Sequence, residues 1–300
     1  MSRDRIVARA RRSAHSVTVA VAICLVATAQ RLPAQVLTAQ TVIDRIKAHV
    51  GVPWTHPTVD TIKAGDASTP VTGIAVTMMA TLDVLQRAAR EGKNLVITHE
   101  PTFYDHLDST ATLLSENDAV TVAKLKFIAD HKMVVWRFHD HAHDMHQDII
   151  LTGVVRALGW TAWQVRDTPW RIRMPETTLA TLADSIRRKL GAHALRVVGD
   201  PALTVTSVVL VPGAAGFPQH RLAMRDSTAQ VLVIGEAREW ETVEYMDDAI
   251  AAGQRRALII IGHIGSEQPG MEDVTRWLRT FVTEVPVGFV AAKDPFWEQR

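Results

Sequence analysis

Eight short aliphatic runs punctuate this chain, and between most of them lie stretches with the 3.6-residue periodicity of amphipathic helices. The runs are Val71–Met79, Leu95–Thr98, Met133–Phe138, Leu195–Val198, Val205–Val211, Val231–Ile234, Ala257–Ile261 and Val287–Ala291. The helical stretches include Thr41–Val50, Leu82–Arg90, Ala119–His131, Ile149–Leu158, Leu179–Leu190, Val243–Ala252 and Val274–Val282. A run that is apolar at successive positions suits a strand buried on both faces, and helices are what cover such strands. The alternation therefore predicts an α/β protein. Gly92, Gly191 and Gly253 each follow a helical stretch, as expected of residues that end helices in the left-handed conformation. Thr161–Pro175 has the weakest periodicity and holds Trp163 and Trp170. It is the expected connection, residues 161–175, between an N-terminal lobe of residues 41–160 and a C-terminal lobe of residues 176–292.

The N-terminus reads differently from the rest. Arg3, Arg5, Arg9, Arg11 and Arg12 stand against a single acid, Asp4, and are followed by the uncharged run Val17–Ala29. A basic start, a short apolar segment and an Ala-Thr-Ala ending are the parts of a secretory signal peptide, here residues 1–29, with Ala34 as an alternative cleavage point. The run is shorter than the roughly 20 residues that a bilayer span requires. The expected mature protein is exported, periplasmic or extracellular, without a stable membrane span. Cleavage after Ala29 leaves 28 basic against 31 acidic residues, so no basic surface for nucleic acid is implied. It also removes the one cysteine, Cys24, and with it any disulfide or thiolate ligand. A metal site in the mature chain has to be built from imidazole and carboxylate, and the chain has 13 His.

Those groups gather where strands are expected to end, which is where open α/β sheets place their sites. His99 and Glu100 directly follow Leu95–Thr98, and Pro101 stops the strand from continuing. The segment from His139 to Asp148 packs four His and three Asp into ten residues after Met133–Phe138. Such donors suit zinc, manganese, iron or nickel, and ligating His usually lean on a carboxylate such as Asp140 or Asp144. Of its four His, His146 is the one expected to stand apart. His263 and Glu267 follow Ala257–Ile261, and Gly262 and Gly265 would permit a turn that brings them together.

In this order the three clusters resemble the Nif-three-like dinuclear metal centre family, also described as type-two GTP cyclohydrolase homologues. The family pattern has His-His-Pro after an early strand, His-x-x-x-Asp after a later one, and His-x-x-x-Glu near the C-terminus. The corresponding segments are His99-Glu100-Pro101, His139-Asp140-His141-Ala142-His143 and His263-Ile264-Gly265-Ser266-Glu267. Gln147-Asp148 before an apolar helix and Val233-Ile234-Gly235-Glu236 also look like family segments. Two positions depart from the pattern: Glu100 stands for a His, and His143 for an Asp. The exchanges are opposite, so the set remains three His and two carboxylates.

The resemblance implies two α/β lobes with mixed sheets flanked by helices, and a metal site in the cleft between the lobes. Its metal ligands would be His99, Glu100, His143, His263 and Glu267; the competing reading is that Glu100 points away and only one metal binds, with His139 or His141 substituting. His99 and Glu100 would belong to different ions, Glu267 would bridge, and Asp140, Asp144 and Glu236 are candidates for proton transfer or support. The expected cofactors are two divalent ions drawn from zinc, manganese, iron, cobalt or nickel. The expected activity is hydrolysis of a small-molecule substrate, with Glu267, Asp140 and Glu236 as the catalytic candidates. The alternative is an extracytoplasmic metal-binding or scaffold protein without catalysis. The family also implies a homo-oligomer, a ring-like hexamer built from dimers. Neither a P-loop nor a Gly-x-Gly-x-x-Gly cradle is present in the sequence, so it supports no nucleotide site.

Overall fold

In the computed structural model, residues 36–193, 195–225 and 228–296 are described. The expected signal peptide, residues 1–29, lies outside the described residues. Among the described residues, no helix is long and apolar enough to cross a membrane.

The first sheet is built from β1 (Ile62–Ala64), β2 (Ile74–Thr77), β3 (Leu95–Thr98), β4 (Val134–Arg137) and a strand from the far end of the chain, Val287–Phe289. β3 lies parallel between β2 and β4, β1 closes one edge antiparallel to β4, and Val287–Phe289 closes the other parallel to β2. Every residue of β2, β3 and β4 is buried, which accounts for their unbroken apolar runs. Helices Ala39–His49, Leu82–Arg90 and Ala119–Asp130 accompany this sheet. Thr38, Thr81 and Asp118 start them by accepting a hydrogen bond from a backbone N–H of the first turn.

The second sheet contains β5 (Gln164–Val165), β6 (Thr168–Thr178), β7 (Arg196–Val198), β8 (Thr204–Val211), β9 (Val231–Ile234) and β10 (Ala257–Ile260), in the order β5-β6-β8-β9-β10-β7. β8, β9 and β10 are parallel, while β5, β6 and β7 run antiparallel to their neighbours. Val287–Phe289 is β11. Both sheets are thus mixed and flanked by helices, as expected.

The chain departs from its expected plan in three places. Residues 161–175 are not a connection but hold β5 and most of β6, at the edge of the second sheet. The second lobe does not run on to residue 292, because β11 adds to the first sheet. The last helix is His263–Leu278 rather than Val274–Val282. It begins at the end of β10 and carries Met271, Val274 and Leu278 into the first core.

A pair of helices joins the two cores. Ile149–Ala157 sends Ile150 into the first core and Leu151, Val154 and Val155 into the second. It packs backbone to backbone on His263–Leu278: a Cβ on Gly153 would lie 2.5 Å from the Gly270 Cα, and one on Gly270 would lie 2.4 Å from the Ile150 Cα. Only glycine fits at either position.

Candidate metal centre

The candidate ligands stand at the C-terminal ends of strands from both sheets. β3 ends at Thr98 and delivers His99 and Glu100. β4 ends at Arg137, and two residues later His139 opens the short helix Asp140–Asp144. From the second sheet, β9 delivers Glu236. After β10, Gly262 takes φ 84° and turns the chain into the helix that starts at His263. His263 and Glu267 are therefore one helical turn apart on the same face, not brought together by the glycine turn expected from the sequence.

His99 is the centre of the arrangement. It is fully buried, and its Nδ1 lies 3.1 Å from the Phe138 carbonyl, which accepts its proton. That bond fixes the tautomer and leaves the Nε2 lone pair facing the cleft, where it has no hydrogen-bond partner among the described residues. Burial, reinforced by the nearby His143 and His139 rings, pushes His99 well below its ordinary pKa, so the ring stays neutral. Around Nε2 stand Glu267 Oε2 at 3.6 Å and Glu100 Oε1 at 4.0 Å. The ring centroids of His139 and His143 are 4.6 and 5.0 Å from that of His99.

Glu100 points inward. Its Oε1 lies 3.4 Å from His263 Nε2 and 3.6 Å from His139 Nε2, while its Oε2 lies 3.6 Å from Arg137 Nη2. Burial opposes its ionisation, but the hydrogen bond from His263 and the surrounding imidazoles outweigh that and lower Glu100 to about 2. Burial likewise opposes charge on His263, yet Glu100, Glu236 and Glu267 push it up to about 12. Glu267 Oε2 is 3.1 Å from His263 Nε2. Its carboxylate has room because residue 213 is glycine: a Cβ there would fall 2.1 Å from Glu267 Oε1.

The atoms His99, His139 and His143 can offer lie within 4.8 Å of one another, and so do those of His99, Glu100 and Glu267. Donor chemistry, one orphaned and fully buried imidazole nitrogen, and two flanking carboxylates fit a divalent cation site.

Supporting groups sort the remaining candidates. Asp140 has both oxygens engaged, Oδ1 with His139 Nδ1 at 2.9 Å and Oδ2 with the Thr58 hydroxyl and the Val59 N–H. It therefore orients His139. Asp148, not Asp144, supports His143: its Oδ2 lies 2.9 Å from His143 Nδ1, while its Oδ1 caps the helix Ile149–Ala157. Asp144 and His146 are exposed. His141 is buried with both nitrogens used, Nδ1 on Asp60 at 2.7 Å and Nε2 accepting the Thr55 N–H at 3.0 Å, and it stacks on Trp54. It is not available as a ligand. Glu236 is exposed, with Oε2 3.6 Å from His263 Nδ1.

Sequence reasoning missed Asp60 and Arg137. Buried Asp60 accepts the N–H groups of His139, Asp140 and His141 as well as the His141 ring, and so shapes the whole His-rich segment. Fully buried Arg137 donates from Nε to the His99 carbonyl and from Nη1 to the His106 carbonyl. An Asp before a three-residue strand and an Arg inside an apolar run carry no motif that marks them.

With this geometry in hand, comparison with known proteins is decisive. Residues 59–295 match the model of the Duf34/NIF3 (NGG1p interacting factor 3) family. The chain belongs to the NIF3 family. Solved structures similar to it include the Staphylococcus aureus hypothetical protein SA1388, with TM-score 0.68 and 18% identity, covering 87% of this chain and 99% of that one. A Bacillus cereus protein related to NIF3 has TM-score 0.68 and 14% identity, covering 88% and 99%. Reduced HcgD from Methanocaldococcus jannaschii has TM-score 0.57 and 13% identity, covering 85% and 98%. At these identities the likeness is one of fold. No curated protein matches the chain.

Proposed function

We propose that the protein is a metal-dependent hydrolase whose cleft holds two divalent ions on His99, Glu100, His139, His143, His263 and Glu267. The observation that carries this reading is the buried Nε2 of His99, which has no hydrogen-bond partner among the described residues and is set between two carboxylates. Zinc, manganese, iron, cobalt and nickel all suit the donors. Such ions supply Lewis acidity and a water acidified to near-neutral pH, able to attack an ester, amide or phosphate.

The chain's own residues do the rest. Asp140 and Asp148 hold the His139 and His143 rings by Nδ1, so that each Nε2 is the free donor. Glu267, buried behind Gly213, would be one of the carboxylates that hold the ions. Glu236 stands at the solvent edge beside His263 and is the acid able to exchange a proton between a substrate and bulk water. The partial exposure of His139, His143 and His263 favours catalysis over mere storage, because catalytic sites keep an open position and structural ones are closed.

Export by the N-terminal segment and assembly into a homo-oligomer, a hexamer by family likeness, are parts of the same proposal. Light scattering of the chain from residue 30 onward tests the assembly. For activity, the protein supplied with manganese or zinc is assayed on a panel of esters, amides and phosphates. Turnover that disappears in His263→Ala and Glu267→Ala supports the proposal. Absent turnover, or turnover indifferent to both substitutions, overturns it.

A further inference from the structure

Residues 101–110, which follow Glu100 and lead to the short helix Ala111–Ser115, are held from beneath by buried charged side chains. Fully buried Arg137 donates from Nε to the His99 carbonyl and from Nη1 to the His106 carbonyl, 2.6 Å away. A single guanidinium thus fixes the backbone of a candidate metal ligand and that of His106 relative to each other. Lys124 Nζ donates to the Thr102 carbonyl. Asp108 Oδ1 accepts the N–H groups of Thr102 and Phe103, while its Oδ2 lies 3.3 Å from Lys63 Nζ. Tyr104 and Asp108 each have φ 59°, a left-handed conformation that residues other than glycine seldom adopt. It persists where the surroundings over-determine the backbone, as these clamps do.

The clamped loop presents His106 beside the metal centre. Its ring is exposed, makes no hydrogen bond among the described residues, and stands edge-on to candidate ligand His139 with centroids 6.2 Å apart. The neighbouring carboxylate, Asp105, is engaged by the Leu107 and Ser109 N–H groups of its own loop. Beneath the loop, Lys63, Lys124 and Arg137 face Asp108 and Glu100, three cations against two carboxylates. Burial lowers Lys124 to about 8, which leaves it charged at neutral pH. Surplus charge under protein is weakly screened, so the loop surface around His106 favours a negative group.

We infer that His106 contacts the substrate of the metal centre, donating a hydrogen bond to an anionic oxygen while another oxygen of the same group faces the ions. An imidazole can donate from either nitrogen, and a hydrogen bond to a charged oxygen is about twice as strong as one between neutral groups. Phosphate esters and carboxylates share this chemistry. Arg137 and Asp108 act as positioning residues, since they touch the loop and not the substrate. This inference rests on the proposed metal-dependent function, and adds that the substrate is an anion held by His106.

The test titrates manganese-loaded protein with inorganic phosphate and, separately, with acetate. Affinity is read from paramagnetic broadening of the phosphorus line of phosphate and of the methyl line of acetate, so no turnover is needed. His106→Phe keeps a planar ring without a donor, and should bind the preferred anion about tenfold more weakly while holding as much manganese. His106→Gln keeps a donor and should retain most of the affinity. The anion bound more tightly by the unaltered protein names the source, a phosphate ester or a carboxylate. Binding of neither anion, or equal affinity in His106→Phe, overturns the inference while leaving the metal centre standing. Loss of manganese from His106→Phe would make His106 a metal ligand and overturns it as well. Failure of the unaltered protein to hold manganese overturns the inference and the proposed function together.

Discussion

Asp60 offers nothing to an ion, yet it holds the segment that does. Its two oxygens take four hydrogen bonds from His139, Asp140 and His141, and the two from His141 are fully buried. Replacing it with Ala strands several buried donors, each worth about 1–3 kcal/mol when left unsatisfied. Asp60→Ala should therefore lower stability by roughly 3 kcal/mol or more, read as a shifted urea midpoint, and weaken metal binding as well. An unchanged midpoint would show that the segment is shaped by other contacts.

A second prediction at the residue scale concerns protons. Without a metal His263 is held at about 12 by Glu100, Glu236 and Glu267, above its unfolded value of about 6.5, so it is charged at neutral pH. A metal ion needs the neutral ring. Uptake should expel the proton, and affinity should rise with pH. Calorimetric titration of zinc in two buffers of different ionisation enthalpy checks this, and equal heats in both would contradict it. In the metal-free chain the pairing is a folding contribution with two limits. On the His263 side the folded pKa is raised, so its contribution is complete below about pH 6.5 and fades as pH climbs through about 12. On the Glu100 side the folded pKa is depressed to about 2, so its contribution is present above about pH 4.5 and fades as pH falls through about 2.

At the scale of elements, the contact between Ile149–Ala157 and His263–Leu278 decides how the site closes, because the second helix carries two candidate ligands while resting on the first. In an ordinary exposed helix Gly→Ala stabilises by up to about 1 kcal/mol. Gly153→Ala and Gly270→Ala should do the reverse and cost about 1–3 kcal/mol, since the added methyl meets backbone at close range. Thermal unfolding of the two variants checks the sign. A rise in melting temperature would mean that the helices can move apart freely.

The same helices show what could and could not be read in advance. All eight aliphatic runs contain strands, and in β2, β3, β4, β9 and β10 burial on both faces accounts for the largely apolar signature. β6 escaped notice because it alternates irregularly between buried and exposed positions at a sheet edge, and its Trp170 is exposed. The first half of His263–Leu278 was hidden by Gly265, Pro269 and Gly270, residues that ordinarily mark breaks. Gly270 is required here because the helix lies against another backbone. Of the site, His99, Glu100, His143, His263 and Glu267 were legible as strand-end clusters. Asp60, Arg137 and the cap role of Asp148 were not, because their partners are distant in sequence or backbone groups that leave no pattern.

For the whole molecule, the return of the chain matters most. β11 pairs with β2, and His263–Leu278 packs into the first core while starting from the second sheet. The cleft is thereby closed on one side by a single helix that belongs to both lobes. An ion bound between His99 of one lobe and Glu267 of the other must therefore raise the free energy of unfolding by mass action. The central claim is that these groups form a cation site organised on His99, and equilibrium dialysis tests it most directly. The protein dialysed against zinc should retain two ions per chain, and His99→Ala should retain fewer than one. Zinc absent from the unaltered protein, or bound equally by the variant, would contradict the account.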